Sequence, residues 1–277
     1  ANTTGTDNTA VGLDALKTAT TVSGNTAFGS EALRANVAGS NTAVGNEAMY
    51  GNTTGASCTA VGNTALDAIN TGDSNTAIGN GAMGTNTSGA YNTAVGSAAL
   101  VANTTGSYNI GIGYQVSEQG TTGSGNVAIG ATAMNGINTA DNNIAVGRGA
   151  LAANTSGTPN IAIGYGAGNS ITTGTNNVCI GNEAGQTITT ASQATYIGNS
   201  CGYVATGAEN VMLGYAAGVY VTSADSSTIL GWFAGATLRT GHQNVLIGTS
   251  TDVSASDSTG QVVIGHDVTG VANDSAT

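Results

Sequence analysis

A glycine that returns at a fixed interval limits this chain to one kind of architecture. It closes a five-residue phrase, first met as Asn8-Thr9-Ala10-Val11-Gly12, that recurs in related form sixteen times in 277 residues. The glycines run from Gly12, Gly29 and Gly45 to Gly231, Gly248 and Gly265; successive ones are 17 residues apart, except for spacings of 16 at Gly29 to Gly45 and Gly198 to Gly214. A period this short and regular marks a solenoid, in which each repeat is one coil that buries its apolar side only by stacking on its neighbours. The predicted fold is therefore all-β, a parallel β-solenoid of sixteen 17-residue coils.

Each coil is numbered here from the residue that opens the phrase. Position 1 is Asn in twelve coils, which suits a corner because this side chain bonds nearby backbone and tolerates left-handed dihedrals. Positions 2 to 4, for example Thr93-Ala94-Val95, read as a short strand whose alternate side chains face opposite ways. The glycine at position 5 implies a backbone turn that a Cβ would forbid. Position 4 is always a large aliphatic or Phe and is assigned to the coil interior, with Ala at position 8 on the facing wall.

Position 3 then points away from position 4, yet it is apolar throughout. It is mostly Ala up to Ala94 and beyond, then becomes Cys179, Tyr196, Met212, Ile229, Leu246 and Val263. A continuous apolar column on an outer face is an interface, so these residues are expected to line the axis of a symmetric homo-oligomer. A flattened coil holding both faces inside is the alternative.

A second change sets in near Gly164. Earlier coils carry Leu or Met at position 9 (Leu16, Leu33, Met49, Leu66), whereas later ones carry Gly there and gain an aliphatic at position 12 (Ile171, Ile188, Val221, Leu238). The expected organisation is one continuous rod, with coils of the first subtype over residues 1–164, coils of the second over 165–265 and a C-terminal tail at 266–277. At the usual strand spacing sixteen coils extend roughly 75 to 80 Å. The rod is expected to be mostly strand and without helix.

Composition narrows the function. Only 7% of residues are charged, against about a quarter in ordinary domains, and four cations face fifteen acids. Nucleic-acid binding needs clustered Lys and Arg, so that partner is not expected. Nor is membrane insertion, since no run of about 18 apolar residues occurs, and Ala1 to Val11 does not read as a secretory signal. Cys58, Cys179 and Cys201 occupy three different places in the repeat and read as small hydrophobes rather than as a disulfide or zinc framework.

The wording Asn92 to Leu100 followed by Asn103-Thr104-Thr105-Gly106, and later Asn126-Val127-Ala128-Ile129-Gly130, resembles the head repeats of YadA-like trimeric adhesins and long repeats of phage tail-fibre proteins. The resemblance spans about Asn8 to Gly265. It implies a left-handed β-roll, three chains around an axis, and an extracellular or virion-surface role in attachment. The family's head coils are usually shorter than 17 residues, and this chain shows no coiled-coil stalk, membrane-anchor barrel or autocleaved chaperone.

No catalytic, cofactor-binding or metal-binding set emerges, and an enzyme is not expected. Gly79-Asn80-Gly81-Ala82-Met83-Gly84 matches a dinucleotide fingerprint in letters, but it consists of repeat glycines with no helix pattern behind it. His242 and His266 lie in different coils without a recurring nucleophile, and the aspartates do not repeat in register as calcium rolls require. Asn2, Asn52, Asn86, Asn103, Asn154 and Asn273 are glycosylation sequons, four of them at one corner of the repeat. Thr recurs at position 13, in principle a water-ordering array as in ice-binding solenoids but more simply a stabilising ladder. Tyr215 and Trp232, both at position 6, are the candidates for a saccharide contact. The expected function is a homotrimeric fibre or adhesin segment, foremost of a phage tail fibre, that spaces or presents a contact with a cell-surface glycan or protein; a bacterial surface adhesin and a receptor-free filament are the alternatives.

Overall fold

The computed structural model describes residues 2–68, 70–136 and 139–271. The chain is all-β and forms a parallel β-solenoid with one strand per coil, in chain order, and no helix among the described residues. It comprises two compact units, Ala1–Asp141 and Asn142–Thr277. The first carries β1 (Thr9–Val11) to β8 (Val127–Ile129) and the second β9 (Ile144–Val146) to β16 (Val262–Ile264). Within each unit equivalent positions pair, as in Thr76 with Thr93, Ala77 with Ala94 and Ile78 with Val95.

Strands take only three or four residues of each coil, so the expectation of a mostly strand chain fails. The reason lies in the backbone. Positions 7, 9 and 17 sit in the left-handed region, as at Glu47 (φ 56°), Met49 (φ 54°) and Ser57 (φ 58°), and no strand runs through such residues. Bonds between coils continue outside the strands nonetheless. The Met83 N–H donates to the Ala99 carbonyl at 3.0 Å, and the Thr87 N–H to the Thr104 carbonyl at 2.9 Å.

The invariant glycine is required twice over. At Gly79 φ is +136°, and a Cβ there would stand 2.3 Å from the carbonyl oxygen of Gly96 in the next coil. Asparagine at position 1 forms the expected ladder. The Asn75 Oδ1 accepts the Asn92 N–H at 2.9 Å, while the Asn92 Nδ2 donates to the Gly106 carbonyl at 2.8 Å. The left-handed residue of that corner is the preceding one, such as Tyr91 or Tyr108, rather than the asparagine.

A second buried asparagine ladder occupies the next corner of the first unit. Asn52, Asn70, Asn86 and Asn103 each donate Nδ2 to the Oδ1 of the previous member, starting from Asn36, at 2.7 to 3.1 Å. Because a buried amide left unpaired costs about 1–3 kcal/mol, each ladder holds its coils in one register.

The compact units do not end where the coil subtypes change. Leu151 at position 9 still belongs to the first subtype, so the switch towards Gly168 falls inside the second unit. The start of the presumed tail also continues the last coil: Asp252 bridges to Thr269, and the Gly270 N–H donates to the Asp252 carbonyl at 2.9 Å.

Candidate functional site

The strand faces are the reverse of those expected. Ala94, Cys179, Tyr196, Met212, Ile229, Leu246 and Val263 all have no exposed surface, and the atoms covering them belong to their own chain. Position 3 is therefore the coil interior, not an oligomer axis. The physical reason is width. A Cβ placed on Gly185 would meet the Cys179 Sγ at 2.7 Å and the Tyr196 ring at 2.9 Å, and one on Gly202 would meet that ring at 2.8 Å. Residues 3 and 9 share one narrow space, and in the coils of Cys179, Tyr196, Met212 and Ile229 a large side chain at position 3 goes with Gly at position 9. The flattened coil with both faces inside is equally excluded, because position 4 faces outward.

What lies outside is the aliphatic column itself. Phe28 is 55% exposed, Leu213 43% and Ile163 38%, while Val44, Val61, Ile180 and Ile247 are partly exposed beside their stacked neighbours. Position 2 shares this face, and there Ile110, Ile144 and Val211 are also exposed. Each unit thus presents a sheet face of Thr, Val and Ile, joined by Phe28 in the first and by Leu213 and Leu230 in the second, without a charged residue among positions 2 and 4. Monomeric soluble proteins rarely leave contiguous apolar patches of more than a few hundred Å² open, and larger ones mark interaction surfaces.

No protein-family model matches the chain, and no curated protein does.

The structure brings Tyr215 and Trp232 together. Their rings lie 6.4 Å apart at 13°, both about half exposed, with Phe233 tilted 5.1 Å from the indole. In sequence the flanking residues at position 6 are Asn199 and Thr249, so the aromatic pair is bounded by short polar side chains. A second exposed pair, Tyr91 and Tyr108, stacks at 5.1 Å and 5°.

Other polar groups are already committed. The Thr87, Thr104 and Thr172 hydroxyls donate to the carbonyls of Thr104, Thr121 and Thr189 at 2.9 to 3.1 Å, which removes the free donors a water-ordering array would present. Asn52, Asn86, Asn103 and Asn154 are buried and hydrogen-bonded, so a glycan cannot occupy those four sequons in the folded chain. Asn2 is exposed, and Asn273 lies outside the described residues. Residues 79–84 run from the end of a strand into a corner turn, and no helix follows them among the described residues. Three arginines lie over tyrosines, Arg34 on Tyr50, Arg148 on Tyr165 and Arg239 on Tyr220, and Lys17 pairs with Asp14 at 2.9 Å. Among the described residues no cluster of three or more His, Cys, Asp or Glu side chains is placed to hold a metal.

The cysteines are interior packing. Burial is the main cause that pushes the Cys179 and Cys201 thiols up to about 12, and it raises the Tyr196 phenol and the Cys58 thiol as well. A thiol held neutral in this way is a poor nucleophile.

Proposed function

We propose that this chain is a structural segment of an extracellular fibre or adhesin, and that copies of it associate through the outer faces of their sheets. One observation carries the reading: a column of large aliphatics at position 4 turned outward, at Ile78, Ile112, Ile163 and Leu213 among others, where a lone coil would place polar residues. The resemblance to trimeric adhesin heads and phage tail-fibre repeats favours three copies, with positions 2 and 4 at the axis in place of position 3. Buried ladders, capped cations and a nearly uncharged surface suit a part that works exposed outside a cell. On this reading the segment spaces or presents a receptor contact, foremost in a tail fibre; a bacterial surface adhesin uses the same geometry. A contact with a cell-surface saccharide would fall at the Tyr215 and Trp232 pair, because aromatic faces bordered by amide and hydroxyl groups suit sugar rings.

Native mass tests the association. Light scattering on the purified chain should give three times the chain mass, and Ile112→Glu together with Ile163→Glu should release monomers that keep the wild-type circular dichroism. A wild-type monomer at micromolar concentration would sink the proposal.

A further inference from the structure

One coil of the first unit lacks its core filling. In the coil that starts at Asn109, position 3 is Gly111, position 9 is Ser117 instead of Leu or Met, and position 12 is Gly120 instead of Asn. Leu100 from the preceding coil leans into the room at Gly111, where a Cβ would meet its Cγ at 2.8 Å. The remaining space is a void with about 10 Å³ for the centre of a water-sized sphere, lined by Leu100, Asn103, Asn109, Ser117, Gly120 and Asn126 among others.

The second asparagine ladder breaks at the same point. Asn36, Asn52, Asn70 and Asn86 each receive an amide proton on Oδ1 from the next member, but after Asn103 the next member would be Gly120, which has no side chain. The Asn103 Oδ1 therefore accepts no hydrogen bond among the described residues, and the Ser117 hydroxyl has no partner there either. Both side chains belong to residues more than nine-tenths buried, Asn103 at 2% and Ser117 at 7% exposure. Asn109 offers little more, since its Oδ1 already accepts the Asn126 N–H at 3.0 Å and its Nδ2 donates to the Gly123 carbonyl at 2.7 Å.

We infer that this void is a binding site for a single water molecule, which donates to the Asn103 Oδ1, exchanges a hydrogen bond with the Ser117 hydroxyl, and takes the place of the missing ladder amide. The size is that of about one water, and buried polar sites of this kind hold water whereas apolar ones stay dry. Its consequence is local. The coil at Asn109 replaces a covalently attached plug with a molecule that exchanges with solvent, and it becomes the point of the first unit at which solvent enters first.

A crystal structure of the whole chain should show one ordered water within hydrogen-bonding reach of both the Ser117 Oγ and the Asn103 Oδ1; an empty or collapsed void would overturn the assignment. Gly120→Asn should place its Nδ2 where the water stood, abolish that density, and raise the melting midpoint by roughly 2–4 °C. A midpoint unchanged or lowered, with the water retained, counts against it. If that variant does not fold, Ser117→Ala provides the second reading: it removes one partner without adding bulk and should empty the site, and a water still ordered there would refute the role given to Ser117.

Discussion

Coils near Met83 and coils near Tyr196 carry a strand of the same length at the same place in the repeat, yet they fill their interiors in opposite ways. In the first kind position 3 is Ala, position 9 is a buried Leu or Met, and the neighbouring corner carries the asparagine ladder. In the second kind position 3 grows to Cys, Tyr, Met or Ile, position 9 is Gly, and position 12 is often a buried Ile, Val or Leu, while the coil of Leu246 differs in carrying Asp252 at position 9. Position 9 is left-handed in both, with φ 51° at Met83 and 57° at Gly202. Leu and Met adopt that conformation at a cost of about 1–2 kcal/mol per residue, which glycine avoids. The first kind thus accepts backbone strain in exchange for a plug and a polar ladder. The second relieves the strain and fills the space from the strand. The comparison shows that interior volume is what the repeat conserves, while the corner supplying it is free to change.

The strongest way to break this account is to force both fillings into one coil. Gly202→Leu sets a side chain against the buried Tyr196 ring and is expected to cost about 3 kcal/mol or more in denaturant unfolding. Adding Tyr196→Ala should recover part of the loss, with a coupling of about 1 kcal/mol or more in a double-mutant cycle. Strict additivity would show that positions 3 and 9 do not share a space.

A smaller effect sharpens the difference in polarity. Asn86→Ala interrupts the ladder between Asn70 and Asn103 and should cost about 1–3 kcal/mol by the same measurement. A neutral outcome would mean that the ladder is decoration.

The mildest test uses pH. The thiols of Cys179 and Cys201 are raised from an ordinary value near 9.0 to about 12, so their contribution to stability is fully present below about pH 9 and declines as pH rises towards 12. Melting followed by circular dichroism should therefore lose more between pH 8 and pH 10.5 in wild type than in Cys179→Ala, whose Ala is the residue that position 3 carries in the other kind of coil. Equal losses would remove the thiol from the explanation.

Much of this was legible in the letters. The period, the strand at positions 2 to 4 and the obligatory glycine follow from spacing and from the conformational freedom of glycine, and all three are present. The facing of the strand was not, because size misleads when a coil is thin: the large aliphatics of position 4 are excluded from an interior that Ala94 fills completely. A signal was available. Position 3 enlarges over the same stretch in which position 9 shrinks to Gly and position 12 turns apolar, and three positions that trade volume must touch. The left-handed Leu and Met residues gave no such sign, since nothing in their chemistry favours that conformation. Tyr215 and Trp232 were readable as neighbours because equal positions in successive coils stack, whereas the void at Ser117 needed the lengths and directions of the ladder bonds.

Consider finally the contact between consecutive invariant glycines, such as Gly79 over Gly96. It depends on no side chain, so any coil offers the next the same footing. A gene built on that footing is able to lengthen or shorten by recombination in steps of one coil without disturbing what lies on either side, and only the plugs at positions 3, 9 and 12 need to agree with those of the new neighbours. The number of coils is then inherited separately from the side chains that any one coil displays.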